Sequence, residues 1–142
     1  MIKEMLKNLL LFQSDEKARK KWVKKQLSQL KGGSNILDAG CGSQQYKKYC
    51  THLSYYAQDF AKYNGKGDGT GLQTGEYNYG ELNYTGDIWK VKEKNAYFDS
   101  ILCTEVLEHI PYPNETIKEF SRLLKSGGLL LLTAPVCSIP HF

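Results

Sequence analysis

An α/β fold built on a doubly wound parallel sheet of about five strands is predicted by three features of the 142-residue chain. Short apolar runs recur with acids at their ends, glycine-containing turns follow several of them, and amphipathic stretches lie between. The run Asn35-Ile36-Leu37-Asp38-Ala39 leads into Gly40-Cys41-Gly42-Ser43. That pattern is a buried strand feeding a tight turn where side chains stay small, and glycine lets a ligand approach the main chain. Open α/β sheets bind nucleotide-like ligands at such turns. The dinucleotide fingerprint Gly-x-Gly-x-x-Gly fails here because Gln45 occupies its third glycine position.

Before this turn, Ile2, Met5, Leu6, Leu9 and Leu10 repeat at helical spacing. Ser14 is a candidate cap for a second helix, with Asp15 and Glu16 in its first turn. Ala18, Trp22, Val23, Leu27 and Leu30 form its apolar face, and Gly32-Gly33 ends it. Residues 1–33 are therefore predicted as a helical segment and 34–142 as the ligand-binding domain. Residues 1–31 carry nine Lys/Arg against three Asp/Glu, read as the solvated face of these helices. No apolar run approaches the roughly 18 residues of a membrane span. Lys3, Glu4 and Lys7 interrupt any secretory core, so a cytoplasmic protein is expected. Cys41, Cys50, Cys103 and Cys137 have no metal-ligand spacing, and no disulfide is expected.

After the turn, a helix is predicted from about Gln44 to Leu53 and a second strand over Tyr55–Asp59. Asp59 lies one βαβ unit after the glycine turn, where an acid accepts hydrogen bonds from ribose hydroxyls. Seven glycines between Gly65 and Gly86 mark a long loop without helical periodicity. Its string Asn64–Gly69 fails as a calcium loop, since Lys66 and Gly75 occupy the third and twelfth ligand positions. Tyr77, Tyr79 and Tyr84 are expected to pin the loop to the body. Tyr84–Ile88 is predicted as strand three and Phe98–Cys103 as strand four. Asn114 is the candidate cap of a helix whose Ile117, Phe120, Leu123 and Leu124 face the core. Ser126-Gly127-Gly128 should end that helix, and Leu129–Ala134 reads as a parallel strand covered on both faces.

From Asn35 to about Pro135 the order of motifs resembles the class I S-adenosylmethionine-dependent methyltransferases of the type 11 group. The resemblance rests on Asp38-Ala39-Gly40-Cys41-Gly42, Asp59, Gly86-Asp87-Ile88, Thr104 through His109, and Phe120 through Leu132. Many members carry a further glycine where this chain has Gln44. The resemblance implies a Rossmann-like sheet and S-adenosylmethionine as cofactor, whose sulfonium is already an activated methyl donor. It implies that the main chain at Gly40, Cys41 and Gly42 holds the methionine part, helped by Asp38. Asp59 would take the ribose with Phe60 beside it, Asp87 and Ile88 the adenine, and Cys103-Thr104 would pass under the sulfur. Two subsets of the family use a Glu-x-x-Glu-His like Glu105, Glu108 and His109 to hold a divalent ion. The same pair also braces the loop after strand four in members without metal, so no metal or catalytic residue is assigned. A small-molecule acceptor is expected, with quinone-like phenols, sugars, lipids and RNA all open and nucleic acid not favoured. The alternative is a non-catalytic S-adenosylmethionine-binding module, or an inactive fragment, acting with a partner. The chain stops at Phe142, short of the C-terminal antiparallel strand pair usual in the family. The expectation is an N-terminal portion of a longer enzyme or a naturally shortened product, with a fifth strand exposed to self-association.

Overall fold

The computed structural model describes residues 16–62 and 78–135. The predicted first helix, Ser14, Asp15, most of the glycine loop with Tyr77, and Cys137 lie outside them. Helix α1 occupies residues 16–28. Five strands follow: β1 (Asn35–Ala39), β2 (Ser54–Asp59), β3 (Tyr84–Thr85), β4 (Phe98–Thr104) and β5 (Leu124–Thr133), with α2 (Pro113–Leu123) immediately before β5. All four strand pairings are parallel and the order is β3-β2-β1-β4-β5. The chain thus runs outward from β1 in one direction, then crosses back beside β1 at β4. The gap opened between β1 and β4 at their carboxyl ends is the topological switch point.

Alternation along β1 divides the core between the two faces of the sheet. Ile36 packs with Val23 and Leu27 of α1, Tyr46, Cys50, Leu102 and Leu131. Leu37 and Ala39 face the opposite way, with Phe98, Ile101, Cys103 and the α2 residues Phe120 and Leu123. One helix on each face is the doubly wound arrangement. Cys41, Cys50 and Cys103 are buried free thiols. No helix among the described residues is long and apolar enough to cross a membrane.

Several expected elements differ, each for a local reason. The helix predicted over Gln44–Leu53 is a chain of tight turns with one 3-10 turn at Lys47–Tyr49. Its amides bond three residues back, Gln44 to Cys41, Lys47 to Gln44 and Cys50 to Lys47. Gln44 has φ +59°, which breaks an α-helix at its start. Strand three ends at Thr85 rather than Ile88, because Gly86 turns to φ +135°. Helix α2 starts at Pro113, with Asn114 inside it. Proline at the first helical position has its φ already set for the helix. Ser126-Gly127-Gly128 lies in a register shift of β5 opposite Phe98–Ser100, beyond the helix end at Leu123.

Three apolar residues assigned to the core are on the surface. Ala18 is exposed, and Trp22 and Ile117 are each 41 % exposed. Strand β5 is likewise less covered than its unbroken apolarity suggests. Leu131 is buried, but Leu129 is 53 % exposed, as befits an edge strand. The part of the sheet that α1 covers should depend strongly on that helix. Leu27→Ala, at a fully buried site, is expected to lower unfolding free energy in urea by about 2–4 kcal/mol.

Candidate functional site

The turn after β1 is shaped by close approach. Gly40 has φ +69°, and a Cβ there would lie 2.6 Å from Cγ2 of Val106, in the loop after β4. Glycine is required here by the backbone angle and by the neighbour together. Gly42 follows at φ +53° and Gln44 at φ +59°. Gln44 stands where many of the resembling proteins have glycine, yet keeps the left-handed angle. Its side-chain amide donates to the carbonyls of Tyr79 (2.7 Å) and Glu81 (2.8 Å), tying the segment before β3 to the turn.

Gln58, which belongs to no sequence motif, joins three strand ends. Its main-chain carbonyl accepts from the amides of Gly40 (2.9 Å) and Cys41 (3.0 Å). Its side-chain oxygen also accepts from Gly40 N–H at 3.1 Å, while its amide donates to the Gly86 carbonyl at 2.7 Å. The only signal in the sequence is a polar residue inside a strand, and here that residue is 2 % exposed. Beside it, Asp59 accepts from Gly42 N–H through one oxygen (2.9 Å) and from Ala61 N–H through the other (3.0 Å). Each carboxylate oxygen has two lone pairs, so acceptor capacity remains.

These turns enclose a crevice of about 420 Å³ at the switch point. Gly40, Asp59, Phe60, Asp87 and Ile88 are among its lining residues, together with Glu105, Val106 and His109 from the loop after β4. Among the described residues none hydrogen-bonds the Asp87 carboxylate. A second hollow of about 490 Å³, lined by Gln58, Asp87, Lys90 and Lys92, adjoins it. Five of the ten predicted cofactor residues are therefore brought to one cavity. The other five are not on its wall. Asp38 is 98 % buried, with the Tyr55 hydroxyl donating to it at 2.6 Å. Cys41 is also buried, Gly42 spends its amide on Asp59, and Cys103 points into the core beneath the sheet. Thr104 pairs with Thr133 of β5. Asp59 and Asp87 thus share a crevice, while Asp38 sits behind the turn.

Burial dominates the electrostatics. It pushes Asp38 up to about 6, against the Tyr55 hydrogen bond and reinforced by the charge of Asp59. It raises the Cys50 and Cys103 thiols to about 12 and Cys41 higher still, so none is a thiolate nucleophile at neutral pH. Glu105, Glu108 and His109 do not form the helical face that their spacing allows. Glu105 has φ +55°, and only Leu107–His109 makes a 3-10 turn. Glu105 pairs with Arg19 of α1 at 3.4 Å, and His109 Nε2 lies 3.8 Å from Glu108. No group of three or more His, Cys, Asp or Glu among the described residues is placed to hold a metal ion. Arg19 was read in sequence only as part of a basic helix face, and its contact with the crevice wall depends on how α1 docks.

A five-stranded parallel sheet in this order, with a nucleoside-sized crevice over the first turn, is the architecture of class I S-adenosylmethionine-dependent methyltransferases. The chain belongs to the Methyltransferase domain family, which it matches over residues 12–139. It is 31 % identical, over 125 aligned positions, to a ubiquinone biosynthesis O-methyltransferase of Coxiella burnetii, covering 81 % of this chain and 48 % of that protein. The chain spans about half the length of this curated relative. Among solved structures it resembles a candidate methyltransferase of Bacillus halodurans C-125, with TM-score 0.58 and 26 % identity over 77 % of this chain and 48 % of the other. The YcgJ protein of Bacillus subtilis shares the fold at TM-score 0.61 and 17 % identity, over 81 % of this chain and 49 % of its own.

Gly40→Ala meets both a disfavoured backbone angle and the Val106 side chain. It should lower the unfolding free energy by about 1–3 kcal/mol in a denaturant titration. A carboxyl whose folded pKa is raised binds more protons folded than unfolded, so its contribution to stability falls as pH rises through the interval between the two values. For Asp38 that interval runs from its ordinary value of 3.8 to about 6. Asp38→Asn removes the titration. Urea unfolding should show the variant gaining about 2–3 kcal/mol on the wild type between pH 4 and pH 7.

Proposed function

We propose that this chain binds S-adenosylmethionine in the switch-point crevice and transfers its methyl group to a small acceptor. The observation that carries the reading is the gathering of Gly40, Asp59, Phe60, Asp87 and Ile88 around one cavity. The donor set fits the adenosyl group. The Asp59 and Asp87 carboxylates suit hydroxyl and amino donors, and Ile88 and Phe60 offer apolar surface for a purine. In this reading Asp59 accepts from the ribose hydroxyls and Asp87 from the adenine amino group. The amides of Gly40, Cys41 and Gly42 are bonded within the protein, so in this reading the amino-acid end lies against the Gly40 main chain through the turn's carbonyls. Arg19 is ion-paired with Glu105 behind the crevice wall.

The cofactor supplies an activated methyl on a sulfonium; the chain supplies alignment and exclusion of water. Glu105 and His109 line the same crevice. In this reading they are the groups that take a proton from a hydroxyl acceptor, since Asp59 and Asp87 are engaged with the adenosyl group. We favour an oxygen acceptor because the relative at 31 % identity is an O-methyltransferase of ubiquinone biosynthesis. Trp89 lines the crevice and meets Tyr112 edge-on at 5.1 Å, giving apolar surface suited to an aromatic ring.

Calorimetry with S-adenosylhomocysteine tests the cofactor half, and folded protein that takes up none defeats it. Asp87→Ala removes an acceptor that bonds to no described residue. The variant should keep the wild-type melting temperature and bind about tenfold more weakly. Asp59→Ala should weaken binding at least as much, and should also lower the melting temperature because Gly42 and Ala61 lose their acceptor. Transfer of labelled methyl to a panel of phenols tests the second half. Cofactor binding without transfer to any acceptor class would favour a binding module.

A further inference from the structure

The connection from β3 to β4 carries three residues of the crevice, Asp87, Ile88 and Trp89, yet its described residues 86–97 contain no helix. Parallel strands are usually joined through a crossover helix, whose packing fixes the connection. The sheet order sends this one past β2 and β1 before it reaches β4. Its shape must therefore come from side chains that reach it from elsewhere, and Arg122, in the last turn of α2, supplies most of that support. A guanidinium has five N–H donors, and all five are used here. Nη1 donates to the Glu93 carbonyl (2.7 Å) and to Asn95 Oδ1 (2.9 Å), and Nη2 to the Val91 carbonyl (3.0 Å). Nη2 and Nε also donate to the two carboxylate oxygens of Glu119, at 2.7 and 2.8 Å. Glu119 Oε1 accepts in turn from Val91 N–H at 2.8 Å. Both main-chain polar groups of Val91 thus bond to one Arg–Glu pair, while its side chain is buried in one cluster with Ile88, Phe120 and Leu123.

We propose that Arg122 is a positioning residue: through Val91 and Glu93 it fixes the backbone that carries Asp87, and so sets how strongly the crevice distinguishes an adenine amino group from a base that lacks one. This rests on the cofactor reading above, in which Asp87 accepts from that amino group. Arg122 lines neither the crevice nor the adjoining hollow, so it acts only through the connection it holds. Residues 87–90 lie between two fastenings, the Gly86 carbonyl on the Gln58 amide at 2.7 Å and Val91 on the Arg122–Glu119 pair. Trp89 adds a third contact with the approach to α2, meeting Tyr112 edge-on at 5.1 Å. No described residue hydrogen-bonds the Asp87 carboxylate, so the backbone of this short piece decides where it points. Hydrogen bonds weaken steeply with misalignment, and a small shift there is enough to lose the distinction. The task calls for a planar fork, because one flat group meets three acceptors on the connection and a carboxylate on its own helix.

The test is calorimetry on the whole chain with two probes, S-adenosylhomocysteine and its analogue with hydrogen in place of the adenine amino group. Wild type should prefer the first by about tenfold. In Arg122→Ala that preference should fall to about twofold or less, as it should in Asp87→Ala, and combining the two changes should lower it no further. Both probes meet the same folded variant, so a loss of stability cancels from the ratio. A purely structural role would weaken both probes alike and leave the preference at about tenfold, which overturns the proposal. A double variant with a lower preference than either single one overturns it too, because Arg122 then acts apart from Asp87. Should Arg122→Ala not fold, Arg122→Lys decides: it keeps a cation beside Glu119 but has no fork, so its preference should fall to about threefold or less, and an unchanged ratio sinks the idea. Wild type that binds both probes equally removes the role given to Asp87 and this proposal with it. Uptake of neither probe by folded wild type defeats the cofactor reading itself, an outcome distinct from the others.

Discussion

The site depends on one buried amide. Gln58 holds the glycine turn after β1 by three hydrogen bonds, two to its main-chain carbonyl and one to its side-chain oxygen, and reaches the turn after β3 with the fourth. Parallel strands end in loops that have no hairpin partner to fix them, so their geometry must come from cross-links of this kind. The amide is suited to the task because it donates and accepts in one plane. Asp59, the next residue, inherits the arrangement. Its acceptors face the crevice only because the preceding residue has fastened the neighbouring turns on either side. A leucine in place of Gln58 would fill similar space and keep the main-chain bonds to Gly40 and Cys41, but leave the Gly86 carbonyl without its donor.

The second constraint is electrostatic. Asp59, Asp87 and Glu105 open onto the crevice while Asp38 is shut behind the turn, and these positions ask for different chemistry. Asp59 and Asp87 remain within reach of hydroxyl and amino donors. Asp38 is buried with the Tyr55 hydroxyl as its partner, and the nearby Asp59 carboxylate adds to the cost of its charge. Glu105 is itself neutralised by Arg19. The helix that covers the sheet thereby also adjusts the charge of the mouth, which makes α1 part of the site as well as part of the core.

Much of this was legible in the chain. The Ile36-Leu37 and Ile101-Leu102 runs identify central strands because a parallel strand buried on both faces needs continuous apolarity. The paired glycines and the acids at Asp59 and Asp87 mark the strand ends that meet in the crevice. What escaped the sequence depends on neighbours far along the chain. Gln58 is one such case, since its partners come from two other strand ends. Cys103 was read by position along the chain, but alternation turns its side chain into the core. Glu105, Glu108 and His109 fit a helical face by spacing, and only the left-handed backbone at Glu105 removes it. Trp22 and Ile117 have helical periodicity toward a core that does not extend far enough to cover them.

Gln44 shows how a departure from a common pattern can be self-consistent. A glycine there would relax the backbone, yet it would release the two carbonyls that the amide now grips at Tyr79 and Glu81. The chain has exchanged a cheap bend for a mechanical tether between the glycine turn and the approach to β3. Any ligand that displaces the turn must therefore also tug on residues far from its own contacts, and the span leading into the third strand becomes a strain gauge for occupancy of the first.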